Sequence, residues 1–271
     1  MSFSFRLAAF CAALAAAVAL SAEEKVLFQL GADTKLRVTR GKAEVKEGVI
    51  VAKLPAVVII QQRFKIDPAK VYTLSGEFEA STGATKDNIW FGFVPYTEKG
   101  TEIYSQTYNR LAPKTIGKTA ADAKKGDKTI VVSGSLDPWK PFLKNSARFL
   151  AVDAREDGSD LPNFRLLSTA KGGFTVRDDG ALEITLSKPL AFDLPAGTRL
   201  ALHTWGVSYQ VVSPKKAVSG TNLLSGSYAV KAEDDIKAFC PRAASVSIGF
   251  FCRDENCELE VRNLKLVESD N

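Results

Sequence analysis

Val71-Tyr72-Thr73-Leu74-Ser75-Gly76-Glu77-Phe78-Glu79 is the stretch on which the reading of the fold turns. Side chains alternate faces along an extended chain, so Tyr72, Leu74, Gly76 and Phe78 share one side and Thr73, Ser75, Glu77 and Glu79 the other. One apolar face and one polar face is what a half-buried antiparallel strand requires. The same period continues outward. Upstream, Val26–Leu30, Leu36–Arg40, Val49–Lys53 and Val57–Ile66 read as strands; downstream, Ile89–Tyr96 and Glu102–Tyr108 flank the turn Thr97-Glu98-Lys99-Gly100. Near the C-terminus Val246, Ile248, Phe250 and Cys252 alternate, Arg253-Asp254-Glu255-Asn256 turns the chain, and Cys257, Leu259 and Val261 alternate again. No window of about 11 residues holds a convincing helical spacing. The expected class is all-β.

The middle of the chain changes character. Gly126-Asp127-Lys128-Thr129-Ile130-Val131-Val132, Ala147–Val152, Ile184-Thr185-Leu186 and Pro195-Ala196-Gly197-Thr198 are short strands punctuated by Gly/Pro turns. They are dense enough to close a small barrel of their own. The last hairpin needs partners, and the first strands are the available ones. This favours one antiparallel sandwich built from 23–110 and 213–271, with a small β domain inserted at 111–212.

The first residues carry an export pattern: Arg6, the uncharged run Leu7–Leu20, and small residues at Ala19, Ser21 and Ala22. A signal peptide over 1–22 is expected, and with it a periplasmic, surface or extracellular location; an Ala-rich leader fits bacteria. The run is shorter than the roughly 20 apolar residues of a spanning helix, so no membrane span is expected. The chain has 36 basic and 31 acidic residues, a net charge of +5. That charge is too mild and dispersed to point to nucleic acid. Cys252 and Cys257 fall on the inward face on either side of the four-residue loop. In an oxidising compartment this predicts a disulfide, with Cys240 left over. A zinc pair is the rival, and it lacks ligands, because the chain has one histidine.

The outer segments resemble the carbohydrate-binding modules with a galactose-binding-like jelly-roll fold that accompany bacterial glycanases. The likeness is carried by Phe64-Lys65-Ile66-Asp67-Pro68 leading into Val71–Phe78, by Phe91-Gly92-Phe93-Val94-Pro95-Tyr96, and by the closing Glu258-Leu259-Glu260-Val261-Arg262-Asn263-Leu264-Lys265-Leu266. The middle block resembles small β-barrel-like insertions of surface and cell-wall-degrading proteins. These resemblances imply a jelly-roll sandwich and a polysaccharide or glycan partner. Many such modules bind a structural calcium through an Asp before the final strand pair; Cys257 and Glu258 stand there in this chain. No segment resembles the catalytic domain that such modules serve.

A pyranose stacks its C–H face on an aromatic ring while its hydroxyls need donors and acceptors at the rim, which suits Trp and Tyr. Trp90 lies on the strand face opposite Ile89, Phe91 and Phe93, over the small Gly92, with Asn88 beside it. It can form a shallow platform, or be packed under a neighbouring loop. Tyr104 and Tyr108 join it if the following strand pairs there, and Trp205 in Leu202-His203-Thr204-Trp205-Gly206 is a further candidate. Trp139 reads as a barrel plug and His203 as a hydrogen-bonded structural residue. Ser208 lacks a nucleophile elbow, so no catalytic residue is assigned. The acidic run Asp153, Glu156, Asp157 and Asp160 reads as a solvated turn, with calcium as its alternative; no other cofactor is expected.

The leading expectation is therefore a secreted, non-catalytic carbohydrate-binding protein. A structural or adhesive surface protein that binds another protein is the alternative, and a glycoside hydrolase ranks third.

Overall fold

The computed structural model describes residues 24–270, apart from 86–87, 112–114, 135–136, 143–147, 205, 207, 213–216, 234 and 256. The expected leader and Trp205 lie outside the described residues.

The chain is all-β. Six strands come first: β1 (Lys25–Gln29), β2 (Leu36–Lys46), β3 (Val49–Ile60), β4 (Phe64–Lys65), β5 (Lys70–Ala84) and β6 (Trp90–Tyr96). A single helical turn, α1 (Ser105–Tyr108), precedes β7 (Ile116–Thr119), β8 (Thr129–Ser133), β9 (Arg148–Val152), β10 (Leu166–Val176), β11 (Leu182–Leu186) and β12 (Arg199–Thr204). The chain ends with β13 (Gln210–Val211), β14 (Ser219–Ala229), β15 (Lys237–Ala238), β16 (Ser245–Cys252) and β17 (Glu258–Asp270). Strands β7–β12 close a barrel in the order β10-β11-β8-β7-β12-β9, and the other eleven form one sheet: eight along the path β13-β6-β16-β3-β17-β5-β14-β15, with β1 beside β17, β2 beside β3 and β4 beside β16. Among the described residues, no helix is long and apolar enough to cross a membrane.

The large sheet curls on itself into a jelly-roll sandwich, antiparallel except for the two-residue β14–β15 pair. Gly226 of β14, near one end of the path, packs its backbone so closely on Val212, just past β13 at the other end, that a Cβ there would collide with the Val212 carbonyl. Inside lies the apolar face read from the sequence. Tyr72, Leu74 and Phe78 of β5 are fully buried, between β17 and β14. Phe78 meets Phe91 at 4.8 Å and Phe250 edge-on at 5.8 Å. Gly76 leaves room for this cluster: a Cβ there would press within 3.2–3.5 Å of Leu264, Phe78 and Phe91. The barrel has its own core of Ile130, Val132, Leu150, Ile184, Leu200 and Leu202 around fully buried Trp139, the expected plug.

The C-terminal hairpin is a correction. β16 and β17 are consecutive in the chain but are not neighbours in the sheet, because β3 lies between them. Cys252 is in register with Ala56 on one side of β3, and the carbonyl of Cys257 accepts from Leu54 N on the other. Two interstrand spacings make roughly 10 Å, beyond the Cα separation a disulfide spans. The expected Cys252–Cys257 bridge is not formed. Both are buried thiols, as is Cys240, and the Cys257 thiol donates to the Glu258 carbonyl at 3.2 Å.

The segment Glu102–Tyr108 also departs from expectation. Only Glu102 pairs, in an isolated bridge with Tyr96, and the chain then coils into α1 instead of extending as a strand. This turn joins the two units. The Gln106 carbonyl faces His203 Nδ1 of β12 at 2.8 Å, and the Thr107 carbonyl accepts from Asn163 N at 2.7 Å. His203 is thus the structural residue expected, fully buried, and burial pushes its pKa down so that it stays neutral.

Candidate functional site

The outer face of the sandwich carries a second apolar cluster: Ile59 of β3, Val94 and Tyr96 of β6, Phe251 of β16, and Tyr209, with Val57, Trp90 and Val211 packed against it. Strand alternation produces it, because residues between the inward Phe91, Phe93 and Phe250 must face out. Tyr209 packs against the sheet where Gly249 has no side chain; a Cβ there would stand 2.6 Å from its ring. Burial pushes the Tyr209 phenol up, so it stays protonated.

Beside this cluster opens a groove of about 440 Å³, lined by Arg37, Ile59, Glu102, Tyr104, Tyr209 and Phe251 among others. Its polar wall is fixed by a chain of bonds. Arg37 donates one Nη2 to Tyr96 Oη at 3.0 Å and to Glu102 Oε2 at 3.2 Å, and Ser208 Oγ donates to Glu102 Oε1 at 2.9 Å. Partial burial works against the Arg37 charge, but the Glu102 bond together with the charges of Tyr96, Glu102 and Tyr209 outweighs it and raises the pKa. Arg63 stacks over the Tyr96 ring, 3.9 Å from its centroid. Tyr104 stands at the rim, 44% exposed, with its phenol pKa raised by partial burial and then by the Glu102 charge. The groove therefore offers a held carboxylate, a guanidinium and a hydroxyl next to an exposed aromatic face.

The candidate aromatics separate on folding. Tyr104 lines the groove. Trp90 is half-buried in the outer-face cluster, in register with Phe251, which also lines the groove. Asn88 is exposed just ahead of β6. Tyr108 is not among the groove's lining residues; burial raises its pKa, followed by the nearby Cys240 and Tyr228. The open platform over Gly92 is corrected, because the chain at Gln210–Val211 crosses Gly92 so tightly that a Cβ would strike the Gln210 carbonyl. Gly92→Ala should thus lower stability by about 1–3 kcal/mol by prising β13 and Tyr209 off the sheet. An unchanged urea midpoint would show that the crossing yields.

Arg37, Glu102 and Tyr209 escaped sequence reading. Arg37 and Glu102 are far apart in the chain and carry no motif; only the pairing of β2 with β3 and the Tyr96–Glu102 bridge bring them together.

The three aspartates of the acidic run have protein partners. Asp160 pairs with Arg110 at 2.5 Å and accepts from Arg155 N and Asn163 Nδ2, Asp153 pairs with Arg165, and Asp157 accepts from Ser159 N. Among the described residues, no three His, Cys, Asp or Glu side chains converge as metal ligands.

No family model matches the chain, and no curated protein matches it. Among solved structures, it is similar to the carbohydrate recognition domain of Emp47p, with 13% identity over 90% of this chain and 95% of that one and a TM-score of 0.32. At that score the likeness carries no weight for function.

Proposed function

We propose that this chain is an exported, non-catalytic protein that binds a glycan in the groove beside Tyr104. The observation that supports it is the placement of the fixed Arg37–Glu102–Ser208 polar wall next to the exposed Tyr104 ring. A pyranose needs this combination: the ring takes its C–H face, while the carboxylate and guanidinium take adjacent hydroxyls. Glu102 is the groove's one acidic lining residue and is already ion-paired, whereas glycoside hydrolysis uses two carboxylates. Trp90 and Phe251 back the platform rather than forming its open surface.

The test is retention on a panel of neutral polysaccharides. The wild-type chain should bind one glycan class, with Tyr104→Ala weakening it about two- to tenfold, since an aromatic contact contributes about 0.5–1.5 kcal/mol. Glu102→Gln should weaken it further. Retention on no glycan by a folded chain, or retention indifferent to both substitutions, would overturn the reading.

A further inference from the structure

A larger cleft, about 960 Å³, lies where the sandwich meets the barrel. Its sandwich wall comes from Lys65 of β4, the Thr97–Thr101 turn with Lys99, and the Arg242–Ala244 loop; its barrel wall is Pro162 and Phe164. Two features set it apart from ordinary surface.

The first is unbalanced charge. Lys65, Lys99 and Arg242 line the cleft against a single acid, Glu98. Where cations crowd elsewhere, acids meet them: Lys124 lies between Asp122 and Asp193, and Arg262 between Glu79 and Glu260. Among the described residues, none of the three cleft cations has a carboxylate partner; Arg242 instead donates Nη2 to the Ser159 carbonyl at 2.6 Å, which holds its head group across the junction. Like charges facing one cavity repel unless an anion enters.

The second is Phe164, which is 48% exposed. Its neighbours are pinned. Buried Asn163 donates Nδ2 to the Val152 carbonyl at 2.8 Å and its backbone N to the Thr107 carbonyl, while Arg165 N donates to Asn163 Oδ1 at 2.9 Å. The backbone on both sides is therefore fixed, and the ring is presented at the cleft with little freedom left to lose on binding.

An unpaired cationic wall opposite a rigid, exposed aromatic ring recognises a ligand with an apolar ring face and an acid group at its edge. We propose that this cleft binds an acidic saccharide, a carboxylated or sulfated sugar unit, with Phe164 beneath the ring and Lys65, Lys99 and Arg242 around the acid. The site shares no lining residue with the Tyr104 groove, although the two adjoin at Thr101 and Glu102.

The experiment uses the full exported chain against polygalacturonate, dextran sulfate and uncharged dextran. Binding to one or both charged polymers is expected, falling as salt is raised because exposed charges are screened. Lys65→Gln with Lys99→Gln should weaken it about tenfold or more, and Phe164→Ala should weaken it several-fold. Preference between the two charged polymers identifies the acid group as carboxylate or sulfate. Exposed barrel lysines provide the control: Lys118→Gln with Lys188→Gln should leave binding unchanged, as should Tyr104→Ala. No binding to either polymer overturns the proposal. So does equal loss in the control pair, which would mean diffuse attraction to polyanions, and so does indifference to Phe164→Ala, which would remove the sugar ring from the assignment. Loss in Tyr104→Ala would merge the two sites and overturn their separation. Neutral-glycan binding that survives Lys65→Gln with Lys99→Gln keeps the groove reading intact whatever happens in the cleft.

Discussion

Phe78→Ala should destabilise the protein by about 3–5 kcal/mol. Phe78 is fully buried at the centre of the sandwich, and its ring contacts come from β6 and β16, on the other side of the curled sheet. Truncation would remove the transfer free energy of the ring and also open a cavity, because the lining belongs to strands locked by separate ladders. Gly76 on the same face has no side chain with which to refill it. Urea denaturation should show a lower midpoint with an unchanged slope. A loss below about 1 kcal/mol would mean that the strands can close on the space, contrary to the packing described. Phe78 lies on the interior face, so glycan binding by the folded fraction should persist.

Asp160→Ala should cost a comparable amount, about 3–5 kcal/mol, for a different reason. The Asp160 side chain is 7% exposed and that of Arg110 is 12% exposed, so the substitution would strand a buried guanidinium. Arg110 already has a buried Nε with no partner, which leaves it few alternatives. Burial disfavours the Asp160 carboxylate, but the bonds from Asn163 and Arg155 N, together with the Arg110 charge, outweigh burial and hold its pKa below the ordinary 3.8. A carboxyl depressed in the folded state contributes stability that is present above its unfolded pKa and lost as pH falls through the folded one. The wild-type chain should therefore lose stability below about pH 4, and Asp160→Asn should flatten that part of the profile. Equal acid sensitivity in wild type and Asp160→Asn would rule out this residue as the source. Asp160 also accepts from Asn163, which positions the Phe164 backbone, so Asp160→Ala should weaken acidic-saccharide binding in the cleft as well.

Most of the interior was readable one strand at a time. Tyr72, Leu74 and Phe78, or Ile89, Phe91 and Phe93, announce an inward face because a strand's period of two is local and needs no knowledge of the partner. The same rule placed Trp90 outward, while Trp139, read as a plug, is buried among Ile130 and Val132 in the barrel. It failed for Glu102–Tyr108, where a strand would put Tyr104 and Tyr108 on one face; the chain stays extended at Tyr104 and coils only from Ser105, so the two side chains reach different surfaces.

Alternation along the chain was thus enough to establish an all-β protein and the inward residues of its sandwich strands. It carried no information on which strands would be neighbours. The placement of β3 between β16 and β17, which keeps Cys252 from Cys257, depends on hydrogen-bond ladders between segments about 200 residues apart in a chain of 271. So does the meeting of Arg37 with Glu102, the crossing over Gly92, and the facing of Phe164 by Lys65, Lys99 and Arg242. Side-chain period is a property of one strand, whereas a site is a property of the register between several, and that register was decided only when the whole sheet closed.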